Sequence, residues 1–423
     1  MSESALEAKT NKHKKAVLAV KIVLLIAATG LVIFDSELRE TITWKIDEAK
    51  AYARGVLLPK GGIPVAGGFE SGQSGLFAPG GSGSAIDVIT DAADLTATAQ
   101  ALPQSVTLTP PEFDVKKDIQ GWNNCGPATL ALGLRIFGWK GDQYDISTVI
   151  KPLDTDKNVN PSEMADYVAQ TGLGLSTIVR VNGTDELVMR LLAAGTPVII
   201  EESFKLEESF WPGDDLWAAH YLLITGYDLG TREWSVQDSY YGPNRKIAMD
   251  LLAQTWKPFN RLVFVVYKTT DESKVRGAFG ADWDAVSNMN IAAAAAKRET
   301  DSNPNDAFAW FNLGDSLLGA KDFDAAAAAF ARARGIGLPQ RMLRYQFGPL
   351  EAAYKTGNID DLFVLANYAL DRTPNSEEAL TWKGHAYILS GQVDYARKSF
   401  ERALEAHPGY AEAEAGLKSL NSP

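Results

Sequence analysis

Cys125, the only cysteine of the 423-residue chain, is the residue best suited to covalent chemistry. A lone cysteine cannot form an internal disulfide, so it is a packed apolar residue, an intermolecular link or a reactive thiol. It opens a predicted helix and is followed by Gly126 and Pro127. A helix N-terminus favours a thiolate, glycine lets a substrate approach, and proline suits the first helical turn. The pattern therefore predicts a nucleophile.

Three further residues could complete a catalytic group around this thiol. His220, the one histidine of four that lies in the globular region after Cys125 and before the repeats, opens a predicted strand, and Asp238 ends the next one. Adjacent antiparallel strands would bring the carboxylate beside the imidazole, where it would hold the tautomer of a general base. The side-chain amide of Gln120 could stabilise an oxyanion, although Asn123 and Asn124 are alternative donors.

The elements that must position these residues indicate a mixed α and β domain. Helical spacing covers 125–137, 161–171 and 185–194, and strand-like segments follow at 197–200, 221–226, 234–237 and 262–267. Helices first and strands second are typical of an α+β domain, which we place at 112–270.

A repeat region follows the α+β domain. Prolines recur at 304, 339, 374 and 408, at intervals of 35, 35 and 34 residues, close to the tetratricopeptide length of about 34 residues. Trp310, Leu313, Gly314 and Leu317 match first-helix positions of that motif, and Gly384 and Tyr387 repeat two of them. The pattern resembles about three tetratricopeptide repeats in an all-α solenoid over 284–420, with 284–299 as a preceding helix. Such repeats mostly scaffold or bind peptides, so we expect a protein partner there.

The N-terminus predicts a membrane anchor. Four lysines in the basic tail at 1–15 precede an apolar run at 16–34, which Lys21 interrupts, and acidic residues follow. This arrangement predicts a single transmembrane helix with a cytoplasmic N-terminus and extracytoplasmic globular domains. A cleaved signal peptide is the alternative. Residues 35–111, rich in Gly, Pro and Ser, are predicted to form a flexible tether, with a short polar helix at 36–55.

Charge and local motifs exclude other classes and suggest one candidate specificity element. The net charge of −12 argues against a nucleic-acid partner. Asp154, Asp156 and Asn158 have the spacing that begins a calcium loop, but the loop's glycine and distal glutamate are missing, so we expect no metal, and no cofactor motif is found. Six acidic residues at 201–219 favour a solvated loop with aromatic anchors, with a lid that selects basic or extended peptides as the alternative.

Three motifs carry a family resemblance over about 112–268. They are Gln-x4-Cys-Gly-Pro-Ala, His-Tyr-Leu-Leu-Ile-Thr-Gly-Tyr-Asp and Gln-Asp-Ser-Tyr-Tyr-Gly. Together they resemble the papain-like cysteine peptidases of the bacteriocin-processing type, the double-glycine peptidase-like family thirty-nine. The resemblance implies a papain-like fold with Cys125 as nucleophile, His220 as general base, Asp238 as orienting acid and Gln120 as oxyanion donor. Nothing resembles an exporter's membrane or nucleotide-binding domain, so the substrate is not implied.

These observations predict a membrane-anchored, outward-facing cysteine peptidase whose repeats recruit a peptide or protein. One alternative is a catalytically silent domain in a repeat-based binding protein, and another is an acyl or peptidyl transferase with the same triad. A transglutaminase-like fold is a weaker candidate, because its cysteine usually has a neighbouring tryptophan and no upstream glutamine, whereas Cys125 precedes Gly-Pro-Ala.

Overall fold

The computed structural model describes residues 36–57, 62–64 and 102–421. The predicted basic tail and anchor, 1–34, lie outside these residues. Helix α1 (Ser36–Leu57) covers the predicted polar helix. Within the described ranges, none of the helices combines the length and apolar character needed to cross a bilayer.

A seven-stranded antiparallel sheet forms the centre of the first domain. Its strands are β1 (Ser105–Thr107), β2 (Leu175–Arg180), β3 (Val198–Lys205), β4 (Trp217–Asp228), β5 (Glu233–Asp238), β6 (Gly242–Ala248) and β7 (Val263–Lys268). The order is β2-β7-β3-β4-β5-β6, and β1 pairs with the end of β4. The 12-residue β4 is a central strand of the sheet, because β3 pairs with one of its edges and β5 with the other.

Helices cover both faces of this sheet. One face carries α2 (Val115–Asp118), α3 (Cys125–Arg135), α4 (Gln143–Ile150) and α5 (Pro161–Gln170); the other carries α6 (Asp185–Ala193), α7 (Met249–Trp256) and α8 (Glu272–Phe279). The side chains of successive β4 residues point to opposite faces of the sheet, so Leu223 packs against α3 and Leu222 packs against α6. Because both faces are covered, β4 is apolar nearly throughout.

The sequence analysis found the core elements of this domain and missed several short ones. The predicted α+β class matches the sheet and its helices, but six elements had no prediction: β2, β6, α2, α4, α7 and α8. Strand β1 pairs Ser105 with Asp228 and Thr107 with Gly226, so the sheet begins inside the segment predicted as tether. Three residues are too few for a periodic signal, and only pairing with β4 defines this strand.

Nine helices complete the described part of the chain. They are α9 (Ala285–Ser302), α10 (Ala307–Gly319), α11 (Phe323–Ile336), α12 (Met342–Tyr345), α13 (Gly348–Lys355), α14 (Ile359–Arg372), α15 (Glu377–Leu389), α16 (Val393–Ala406) and α17 (Ala411–Ser419). Close packing explains the motif glycines: a Cβ on Gly314 would lie 2.8 Å from Phe330, and one on Gly384 would lie 2.5 Å from Phe400. The middle pair is irregular, with an eight-residue α13 preceded by the short α12.

The repeat helices are docked against the sheet domain. Asp214 accepts hydrogen bonds from both terminal nitrogens of Arg341, and both side chains are fully buried. Lys257 forms ion pairs with Glu299 and Asp306. These contacts correct the predicted loop or lid at 201–219: its ends are parts of β3 and β4, and its Asp214 is neutralised by the repeats. The correction could not come from local sequence, since the partner lies 127 residues away.

Candidate active site

The loop before the nucleophile position is fixed by one buried glutamine, Gln143. Its Oε1 accepts from the backbone nitrogen of Gly121 at 2.9 Å and from Asn124 Nδ2 at 2.7 Å. Its Nε2 donates to the carbonyls of Lys117 and Ile119. Gln143 therefore holds the turn that places Cys125 at the first position of α3. Sequence reasoning missed it, because a polar side chain in the first turn of α4 carries no motif.

The structure brings His220 and Asp238 together across β4 and β5. His220 Nε2 lies 2.9 Å from Asp238 Oδ1, and both side chains are buried. The same oxygen accepts the backbone N–H groups of Tyr240 at 2.8 Å and Tyr241 at 3.1 Å, and Oδ2 binds Arg245. The carboxylate is thus fixed from several sides and can hold the ring of His220 in one orientation.

Cys125 interacts with the same imidazole from across the site. Since Nε2 is committed to Asp238, Nδ1 is the ring nitrogen available to the thiol; it is buried and makes no conventional hydrogen bond among the described residues. Phe204 and Tyr240 lie against the ring, with centroid distances of 5.5 and 6.3 Å. These contacts keep water from the imidazole and restrict its rotation.

Electrostatics favour the ion-paired form of this group. Burial alone would raise the pKa of the Cys125 thiol, but the interaction with His220 outweighs burial and leaves the pKa below its usual value. Burial lowers the pKa of His220, yet Asp238 and Cys125 together raise it to about 10. Burial alone would raise the pKa of Asp238, but the hydrogen bond and charge of His220, together with the N–H groups of Tyr240 and Tyr241, lower it to about 2. A thiolate–imidazolium pair beside a carboxylate is the state that these shifts favour.

Gln120 lies beside this pair and is oriented by Ser239. Ser239 Oγ donates to Gln120 Oε1 at 2.9 Å, and the backbone nitrogen of Gln120 donates to the Ser239 carbonyl at 2.8 Å. With its oxygen engaged, the amide nitrogen of Gln120 is the atom that can donate into the cavity it shares with Cys125. Of the alternative donors, Asn124 is buried and committed to Gln143, whereas Asn123 lines the cavity.

A cavity of about 790 Å³ opens over Cys125. Its walls come from the sheet domain, from Lys45 of α1 and from Arg344 and Tyr345 of the repeats. Charged residues of both signs line it: Glu201, Glu207, Glu208, Lys45, Lys116, Lys157 and Arg344. The acidic side chains that could select basic peptides are therefore offset by cations. Glu201 is the buried one, and burial raises its pKa well above the usual value.

Comparisons with known families agree with this architecture. Residues 101–264 match the model described as the Peptidase_C39-like family, and 286–339 and 377–410 match two models of the tetratricopeptide repeat. The chain therefore carries a C39-like peptidase domain followed by tetratricopeptide repeats, which confirms the predicted resemblance. The irregular middle pair, α13 and α14, lies between the two matched repeat segments.

Solved structures similar to the chain include two bacterial proteins. A C39-like peptidase from Bacillus anthracis is 15% identical, with 39% of this chain and 98% of that chain covered and a TM-score of 0.30. Xylellain, a cysteine protease from Xylella fastidiosa, is 16% identical, with 40% and 87% covered and a TM-score of 0.26. No curated protein matches the chain.

Proposed function

We propose that this chain is a cysteine peptidase that hydrolyses peptide bonds with Cys125 as nucleophile, His220 as base and acid, Asp238 as orienting residue and Gln120 as oxyanion donor. One observation carries the proposal. His220 is held by Asp238 through Nε2 at 2.9 Å, and its other nitrogen is left for a thiol whose pKa the imidazole lowers. A cysteine that served only for packing would need neither the buried carboxylate nor the open cavity.

The proposed reaction follows from these positions. The Cys125 thiolate attacks the carbonyl carbon, and the negative oxygen is stabilised by the Gln120 amide and by the N–H groups at the start of α3. Imidazolium His220 gives its proton to the leaving amine, and the C–N bond breaks to form a thioester. Neutral His220 then takes a proton from water, which attacks the thioester and releases the acid and the thiolate. Asp238 remains ionised throughout.

The proposed role of the repeats includes building the substrate cavity. Arg344 and Tyr345 line the same cavity as Cys125, so a peptide bound there contacts both domains. Trp122, Phe204, Phe210 and Tyr240 offer aromatic surface beside the charges described above. We therefore expect substrates with an apolar or aromatic side chain near the cleaved bond, and we retain the proposal that the repeats bind a protein partner.

The proposed location is the outer side of a membrane, with the N-terminus in the cytoplasm. Only the sequence supports this part: lysines precede the apolar run at 16–34 and acidic residues follow it. Protease added to intact cells should remove the globular domains, and it should spare a reporter fused to the N-terminus. The opposite pattern of cleavage would contradict this orientation.

Cleavage of a peptide library by the full chain tests the peptidase proposal. Mass spectrometry of the products should identify hydrolysed peptides in the wild-type sample and none with Cys125→Ala. Products joined to an added amine or peptide would show transfer instead of hydrolysis. Equal product profiles for the two proteins would favour a silent domain and would reject the proposed nucleophile.

A further inference from the structure

A second cluster of reactive side chains lies at the junction of the two domains. Asp156 comes from the loop between α4 and α5, Glu377 opens α15, and His407 directly follows α16. All three residues are buried, and their potential ligand atoms lie within 4.8 Å of one another. The peptidase fold supplies one of these ligands, and the last repeat supplies the other two.

The distances within this junction cluster suit a shared cation. His407 Nδ1 lies 3.3 Å from Asp156 Oδ2 and 3.5 Å from Glu377 Oε1. A tetrahedral ion with ligand bonds of about 2.1 Å holds neighbouring donors roughly 3.4 Å apart. Glu163 Oε1 lies 3.8 Å from the same nitrogen and adds a further acidic neighbour to the cluster.

None of these four atoms has a hydrogen-bond partner. Asp156 Oδ2, Glu163 Oε1, Glu377 Oε1 and His407 Nδ1 are all inaccessible to solvent and make no hydrogen bond of normal geometry, and the three oxygens share one imidazole nitrogen as their ion-pair partner. The side chains of Asp156 and Glu377 are only 1% and 2% exposed, and that of His407 is 9% exposed. Buried polar atoms are normally paired, so several orphans aimed at one point indicate a missing partner.

Charge leads to the same conclusion. Glu378 is also buried here, but its oxygens accept from Asn158, Asn160 and Ser376. Among the residues that the structure describes, no lysine or arginine pairs with any of these four carboxylates. A protonated His407 has one Nδ1–H and can serve only one of the oxygens that face it. A divalent cation would satisfy three or four donors at once and would neutralise the cluster.

We propose that Asp156, Glu377 and His407 bind a divalent transition-metal ion of the zinc class. An imidazole combined with carboxylates suits Zn²⁺ better than Ca²⁺, which prefers oxygen ligands only. The sequence analysis expected no metal at Asp156 because it tested local spacing, and the other ligands come from distant helices. The site does not depend on the proposed peptidase activity.

Such an ion would connect the last repeat to the wall of the catalytic cavity. The loop that carries Asp156 continues into Asn158 and Val159, which line that cavity. The hydroxyl of Tyr221, next to His220, donates to the Val159 carbonyl at 3.2 Å. Bound metal would therefore fix the position of this loop relative to Cys125.

Zinc uptake by the full chain tests the site. The measurements use Cys125→Ala protein, because a thiolate beside an imidazole also binds Zn²⁺. After treatment with a chelator and dialysis, the protein is titrated with Zn²⁺ alone, and bound metal is measured by mass spectrometry. We expect about one ion per chain in this background, with affinity at least about tenfold lower after His407→Gln or Glu377→Gln.

His385→Gln in the same background is the matched control, because it removes a partly buried histidine of the neighbouring helix α15 and leaves the junction cluster intact. It should bind Zn²⁺ as the Cys125→Ala chain does. If His407→Gln prevents folding, as circular dichroism would show, Glu377→Gln decides the question, since it keeps the shape and removes one charge. Absence of uptake, or equal uptake by all the variants, would overturn the proposal and leave His407 as a cation among the acids.

Discussion

Two buried histidines, His220 and His407, sit among carboxylates in opposite ways. His220 has one carboxylate, Asp238, at hydrogen-bond distance, and that carboxylate is itself satisfied by two backbone N–H groups and Arg245. His407 faces three carboxylate oxygens at 3.3 to 3.8 Å and makes no hydrogen bond through Nδ1. One site is electrically complete in the protein alone, and the other is not.

The difference indicates what each site lacks. Around His220 the atom without a hydrogen-bond partner is Nδ1, which is available to the thiol of Cys125 beside the cavity. The component that this site lacks is therefore a substrate. Around His407 several carboxylate oxygens are enclosed by protein and lack hydrogen-bond donors. The component that this site lacks is therefore a small cation. A paired carboxylate beside an imidazole that faces an open cavity indicates catalysis, whereas several enclosed carboxylates that share one imidazole nitrogen indicate a bound cation.

Removal of the thiol should have the largest effect. Cys125→Ala should lower kcat for peptide cleavage by a factor on the order of 10⁴ or more, because no other group can form the thioester. Product formation from a peptide identified in the library measures it. His385→Gln serves as the control and should retain wild-type activity. Residual cleavage at the wild-type rate would show that the activity belongs to another group.

Neutralisation of the orienting carboxylate should have the next largest effect. Asp238→Asn should reduce kcat by roughly 10²–10⁴, because the amide cannot stabilise the imidazolium of His220. Asp250→Asn is the matched control, since Asp250 pairs with Arg232 at the surface. Steady-state kinetics separate the two. A change in KM with constant kcat would contradict the assigned role and would indicate a substrate contact.

Replacement of the imidazole should change the reactivity of Cys125 with pH. His220 lowers the pKa of this thiol, so His220→Gln should raise the pKa and reduce both the thiolate fraction and the labelling rate at pH 7. Labelling with iodoacetamide measures it. The rates of wild type and variant should converge as the pH rises through the thiol pKa of the variant. Parallel pH profiles would show that His220 does not activate the thiol.

The smallest expected effect is a change in stability at the junction cluster. Loss of a carboxylate there should stabilise the metal-free protein, whereas loss of a catalytic residue should lower activity. In metal-free protein at pH 7 Glu377→Gln should raise the free energy of unfolding by about 1–3 kcal/mol. Burial and the neighbouring Glu378 raise the pKa of Glu377 to about 9, so this carboxyl must take up a proton on folding, and glutamine avoids that cost. The same variant should lose the stabilisation that Zn²⁺ gives the wild type. Thermal or denaturant unfolding with and without Zn²⁺ measures both effects. A loss of stability without metal would show that the protein already compensates this charge.

The sequence by itself determined the parts of this protein that have a local or periodic signal. The α+β class, the repeat period and most core helices and strands followed from apolar spacing and from the recurring prolines. Four site residues were named because Cys125 and His220 were predicted to open elements, Asp238 to follow a strand and Gln120 to precede the thiol; the structure places His220 inside β4 (Trp217–Asp228). Their roles stay predictions until the variants above are measured.

Only the tertiary structure decided which distant residues meet. Gln143 and Ser239 orient the loop and the amide beside Cys125, yet neither carries a motif, since a hydrogen bond depends on position and not on spacing. Likewise, the sequence alone assigns Asp214 to an acidic segment, and only the fold shows that Arg341 neutralises it. The sequence alone gives Asp156 the spacing of an incomplete calcium loop, and only the fold brings Glu377 and His407 beside it. Charge in a sequence is additive, but its effect depends on burial and on the nearest partner, which folding alone brings into place.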